Sequence, residues 1–197
     1  TEVNGIDSEK LSAYHLGFVI GPCLNATGRL DTAKRALELL QSRTKTDAMS
    51  AARELKDLND SRKNLTVQGV EAAEHFLLEH HMERDKIMVI FLPEVHESLA
   101  GIIAGRIRER YNHPVFLLTR GEEGVKGSGR SVEGYHMYEA MTEAGHFFTK
   151  FGGHAMAAGL SMREEDIDSL RRELNEKCAM TEEDFIPKIW IDVAMPM

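Results

Sequence analysis

With 197 residues, 42% hydrophobic and 28% charged, the chain is long enough for one ordinary core or two small ones and is not disordered by composition. No apolar run approaches the roughly 20 residues needed to cross a bilayer, and the N-terminus lacks the basic and apolar regions of a signal peptide, so no membrane is implied and the expected location is the cytoplasm. The formal net charge of −8 argues against a general nucleic-acid coat, which needs a basic face, but leaves room for a few arginines in a concave pocket.

In chain order, the region from Asp31 to about His81 has no proline, and Asp47 can cap a long helix. Its inward positions would be Ala51, Leu55, Leu58, Arg62, Leu65, Gly69, Ala72 and Phe76, stepping by four and three. Such a helix would span roughly 50 Å, suited to bridging domains. A pair of packed amphipathic helices broken near Gly69 fits the same pattern. Past Asp85, "KIMVIFLP" reads as a buried strand, and "HESLAGIIAGRIRERY" carries Leu99, Ile102, Ile103 and Ile107 at helical spacing. "HPVFLLT" is a second apolar strand and "VKGSGRS" a third. Then come "YHMYEAMTEAGHFF" as a helix, "HAMAAGLSM" as a fourth strand and "EEDIDSLRRELNEKCA" as a helix. Alternating strands and helices predict an α/β domain, a sheet covered by helices. Beyond Met180, "TEEDFIPKIWIDVAM" reads as a linker leading into a strand of a following domain, and the chain reads as cut from something longer. Cys23 and Cys178 lie far apart and fit no zinc spacing, so both read as reduced thiols.

Several chemical motifs fail on inspection. "HESLA" has Ala100 where a zinc-protease helix needs its second histidine. "GVKGSGRSV" has Val132 in place of the third glycine of a dinucleotide fingerprint, and no P-loop lysine follows. The adjacent histidines of "EHHME" would point about 100° apart on a helix and serve one metal poorly. Three clusters survive. In "GPCLNATGRL", Asn25 and Arg29 lie just before a helix and suit an anion; a turn with a polar tip is the plainer reading. In "GSGRS", Ser128 and Arg130 share one side of a strand, with Gly129 on the other letting a ligand approach; an edge strand with an exposed arginine is the alternative. In "FGGHAMAAGLSM", Gly152 and Gly153 present amides beside His154, or simply turn the chain into a strand.

Taken together and in this order, "GPCLNATGRL", "HESLAGIIAGRIRERYNHPVFLL", "GSGRSVEGYHMYEAM" and "FGGHAMAAGLSM" resemble the bacterial RecJ single-strand-specific exonucleases of the DHH phosphoesterase superfamily. The resemblance implies linker helices over 1–84 joining a missing N-terminal DHH domain, a DHH-associated domain over 85–180, and over 181–197 a linker and the first strand of a nucleic-acid-binding OB-fold. It implies 5′ to 3′ hydrolysis of single-stranded DNA in repair and recombination. The Mn2+ or Mg2+ ions would be bound by the missing domain, with no catalytic or metal-binding residue in this chain and repair or single-strand-binding proteins as partners.

By the same resemblance, Ser128 and Arg130 contact the strand's 5′ end and its phosphate, and Arg29 contacts a phosphate at the linker. His154 is a substrate-side ligand beside Gly152 and Gly153, and Asn25 and His96 join the set. Cys23 departs from the family's usual arginine, removing one anion contact. The alternatives are an oligoribonucleotide or cyclic-dinucleotide phosphodiesterase of the same superfamily, or a non-catalytic interaction module.

Overall fold

The computed structural model describes residues 1–30, 32–122, 124–188, 191 and 193. Two compact units divide between Gln68 and Gly69, and each is taken by itself.

The first unit is helical. A π-helical turn, His15–Ile20, runs directly into α1, Gly21–Leu30, followed by α2, Lys34–Gln41, and the start of α3, Lys45–Glu79. The stretch "GPCLNATGRL" is therefore a helix and not the turn its glycines and proline suggest. Pro22 sits inside a continuous helical run, directly after the π-helical turn, so its missing N–H falls where the hydrogen-bond register changes. The change of register is absorbed just upstream, where the Gly21 amide donates to Leu16 O, five residues back. Cys23, Ala26 and Thr27 of α1 are buried, as are Leu55 and Asn59 of α3.

Helix α3 is unbroken through Gly69, so the reading of two helices gives way to one. Its buried positions are Leu55, Asn59, Gly69, Ala73 and Leu77, whereas Leu65 is 43% exposed. The predicted stripe thus slips by one residue at Leu58, where Asn59 is buried, and again at Ala72, where Ala73 is. A side chain at Gly69 would strike the Ile103 tip, so here the helix gives up propensity for close packing.

The second unit holds a five-stranded sheet in the order β1-β2-β3-β5-β4. The strands are β1, Met88–Phe91; β2, Val115–Gly121; β3, Gly124–Arg130; β4, Phe148–Gly153; and β5, Ala157–Met162. Only β1 and β2 pair in parallel, and α4, Glu97–Tyr111, makes the crossover that such a pair requires. α5, Met137–Glu143, and α6, Ile167–Lys177, complete the α/β domain.

Strand alternation sorts the core into two layers. Met88, Ile90, Val115 and Leu117 meet Leu99, Ile103 and Ile107 of α4 together with Ala73 and Leu77 of α3. Val89, Phe116, Leu118, Val125 and Leu160 meet Met137 and Met141 of α5 and Leu170 and Leu174 of α6. β1 and β2 are buried on both faces, which is why they read as continuous apolar runs. Each fully buried Leu or Ile adds about 1.5–3 kcal/mol relative to an exposed one.

β4 is absent from the predicted strands, because the sequence pattern splits "FTKFGG" between a helix end and a turn. The helix predicted over "YHMYEAMTEAGHFF" in fact ends at Glu143, and Phe148 already belongs to β4. "FGGHAMAAGLSM" is consequently a β-hairpin, with Gly153 closing one strand and Ala157 opening the next. Residues 181–187 pack as more than a linker: Thr181 and Asp184 form a capping box, and the Phe185 ring stacks on His113 at 4.1 Å. The strand expected over "KIWIDVAM" lies largely outside the described residues.

Candidate nucleic-acid interface

The face of the sheet that carries α4 is apolar over β1 and β2 but changes character at β3. Register places Leu117, Ser128, Gly159 and Gly152 in one row across β2, β3, β5 and β4. A neighbouring row holds Thr119, Lys126, Ser161 and Lys150. Beyond β3, then, this face presents serines, lysines and glycines. A Cβ built on Gly152 would meet nothing within 4 Å, and one on Gly159 only the Gly127 carbonyl at 4.0 Å. The result is an open groove of about 500 Å³ beside the first turn of α4. Its floor is Ser128, Gly159 and Gly152, and its edges are Lys126, Lys150, Ser161, Glu97 and Ser98.

Three of these edge groups are charged. Lys126 Nζ lies 2.6 Å from Glu97 Oε2, an ion pair that ties β3 to the start of α4. Lys150 is exposed on β4. Hydroxyl donors, two ammonium groups and a floor free of side chains suit a phosphate-bearing chain, since a backbone can lie close to glycine while its oxygens meet donors at the sides.

Arg130 sits one pleat beyond Ser128 on the same face, as strand alternation predicts. Its Nη1 donates to the Gly129 carbonyl at 2.7 Å. A Cβ on Gly101 of α4 would lie 2.7 Å from Arg130 Nη2 and 3.4 Å from Ser128 Oγ. The missing side chain at Gly101 is what lets guanidinium and hydroxyl crowd the same point of the helix.

The other expected residues fall elsewhere. Gly129 faces the opposite layer, where a side chain would strike Met137 Sδ and the Phe116 ring, so its smallness serves the core and not a ligand. Gly153 is on that side as well: a Cβ there would lie 2.5 Å from Ala157 O and 2.6 Å from Ala158 Cα within its own hairpin. His154 is exposed in the hairpin turn, its amide donating to Ala157 O at 2.8 Å, beyond the groove lining. His96 is the N-cap of α4, with Nδ1 accepting from the Ser98 amide at 3.3 Å. Asn25 and Arg29 lie in the first unit, both exposed and one turn apart on α1, and Arg29 occupies the last turn of α1, shortly before α2 begins at Lys34. A cation there complements the carbonyl end of the helix.

Sequence reasoning misses Lys126, Lys150, Gly159 and Ser161. The signal is present: Lys126 lies two residues before Ser128, and Lys150 two before Gly152, the spacing that puts side chains on one face of a strand. For Lys150 it goes unread as long as β4 is not recognised as a strand, whereas Lys126 stands on a predicted strand and is passed over. Among the described residues no group of three or more His, Cys, Asp or Glu converges to hold a metal ion. The groove sets one carboxylate, Glu97, already paired with Lys126, among hydroxyls and ammonium groups, which does not fit a divalent cation either.

Residues 84–180 match the DHHA1 domain family. The Single-stranded-DNA-specific exonuclease RecJ of Salmonella typhimurium is 37% identical over 204 residues, covering 98% of this chain and 33% of its own length. The Bacillus subtilis protein of the same name is 33% identical, with 98% of this chain and 25% of its own length covered. The crystal structure of RecJ in complex with Mg2+ from Thermus thermophilus matches with a TM-score of 0.76 at 30% identity, over 89% of this chain and 27% of that one. The chain spans a quarter to a third of the length of these curated relatives. With a DHHA1 domain match within its second unit and this likeness along nearly its whole length, the chain belongs to the RecJ family.

Proposed function

We propose that this chain is the strand-gripping part of a 5′ to 3′ single-stranded-DNA exonuclease, and that it holds phosphates while hydrolysis takes place in a part of the protein outside it. One observation carries the reading: the bare floor of Ser128, Gly159 and Gly152, flanked by Lys126 and Lys150 and adjoined by Arg130. In this reading the strand's backbone lies on the glycines. The Ser128 hydroxyl donates to a phosphate oxygen, the lysines neutralise charge, and Arg130 turns its fork to the 5′ phosphate. Gripping the strand at fixed distance from the reacting bond is a positioning role, which turns an encounter into an oriented attack. The names of the relatives, single-stranded-DNA-specific exonucleases, support the substrate class. Solved RecJ structures in complex with Mg2+ or Mn2+ support a divalent ion as cofactor of the whole protein, but no step of the present reading passes through one.

The test is a titration of the 197-residue chain with 5′-phosphorylated and unphosphorylated single strands at low salt. The phosphorylated strand is expected to bind more tightly, and Arg130→Ala to erase that preference with a loss of about 1.5–3 kcal/mol, the worth of a charged hydrogen bond. Equal affinities that Arg130→Ala leaves unchanged would remove the phosphate-gripping role, and no binding at all would favour a protein-interaction module. Hydrolysis of the strand by the chain alone, above a mutant control, would overturn the division of labour.

A further inference from the structure

The groove contains a group that a site built only to attract a polyanion would not include. Glu97, the first residue of α4, points its carboxylate to Lys126 at 2.6 Å, and both side chains are about half exposed, 46% and 44%. Lys126 projects from the same face of β3 as Ser128, one pleat away, so a phosphate resting on Ser128 lies beside an ammonium already engaged by a carboxylate. The charged groups lining the groove are Glu97, Lys126 and Lys150, so the carboxylate cancels one of two positive charges.

From this geometry we infer that Glu97 is a built-in competitor for the strand: it holds the place of a phosphate at Lys126 and is exchanged when one arrives. The inference rests on the nucleic-acid reading of the groove. A protein that advances along a strand must release each phosphate as readily as it binds the last. A carboxylate poised to retake the ammonium lowers the cost of release, because Lys126 is never left without a counter-charge. Glu97 thereby trades affinity for exchange, and the groove grips less tightly than its lysines alone would allow. A carboxylate also suits the first turn of a helix, so a purely structural role for Glu97 has to be separated from this one.

A double-mutant cycle separates them. The 197-residue chain, its Glu97→Gln, Lys126→Met and doubly substituted forms, and Arg130→Ala are titrated with a 5′-phosphorylated oligothymidylate over a series of salt concentrations, reading fluorescence anisotropy. Glu97→Gln is expected to tighten binding roughly two- to fivefold at low salt, the range of an exposed ion pair. The slope of log affinity against log salt should steepen by up to about 0.7, one further neutralised phosphate on a single strand. Both gains should vanish in the Lys126→Met background. Unchanged or weaker binding by Glu97→Gln, or a gain that survives Lys126→Met, overturns the inference, while a loss on Arg130→Ala in the same series leaves the nucleic-acid reading standing. Absence of binding by the unsubstituted chain overturns both.

Discussion

Gly129 and Gly152 both lack a side chain, for opposite reasons. At Gly129 the space is already taken by Met137 Sδ and the Phe116 ring, both in the buried layer under α5. Gly129→Ala should therefore cost about 1–3 kcal/mol through overpacking. At Gly152 nothing lies within 4 Å of the added methyl, so Gly152→Ala should leave stability within about 0.5 kcal/mol of the parent. It should nevertheless weaken single-strand binding, because the methyl stands on the floor where the strand's backbone is proposed to rest. Denaturant titration and anisotropy on the two variants check the pair. Equal destabilisation, or unchanged binding by Gly152→Ala, would remove Gly152 from the floor. Gly159, its partner across the β4–β5 pair, belongs with Gly152 in this respect.

At the scale of elements, the start of α4 joins helix stability to the groove. His96 caps the helix through its ring nitrogen, and Glu97 and Ser98 next to it line the groove. Replacing the cap with alanine should cost about 0.5–2 kcal/mol, and an aspartate should restore it. If His96 also meets the strand, His96→Asp will recover the melting temperature but not the affinity, since it sets a second carboxylate beside Glu97. Recovery of both would confine His96 to capping. Much of the element order is legible in the sequence: β1 and β2 are unbroken apolar runs, and α4 shows its Leu99, Ile103 and Ile107 stripe plainly. The failures have physical causes. In "GPCLNATGRL" the proline and glycines mark a turn, yet a π-helical turn directly upstream lets the helix run through Pro22. In "FTKFGG" only two phenylalanines stand among polar residues and glycines, because half of that strand faces an open groove and needs no hydrophobic pattern. Of the site, Ser128 and Arg130 are found by their spacing on one face of a strand. Lys150 and Gly159 stay hidden, since their neighbourhood arises only from the β5–β4 register, which no local pattern announces.

For the chain as a whole, the net charge is −8, while the groove's own lining is weakly positive. Long-range attraction should therefore contribute little to the proposed association, which is expected to rest on short-range contacts inside the groove. That makes the composition of its floor decisive. Ser128, Gly159 and Gly152 carry no amide, carboxylate or ring long enough to reach the edge of a base, and the lysines at the rim offer charge without a pattern of donors and acceptors. A strand lying there is felt through its sugar-phosphate chain alone, and its letters go unread. Homopolymers of thymidine, cytidine and adenosine, each 5′-phosphorylated and of equal length, should accordingly bind within about threefold of one another, differing only as their own stacking does. A marked preference for one base would mean that some other surface reads the strand. On the proposed function, the bare patch on the sheet is a device for indifference, by which a protein that grips any strand avoids having a favourite.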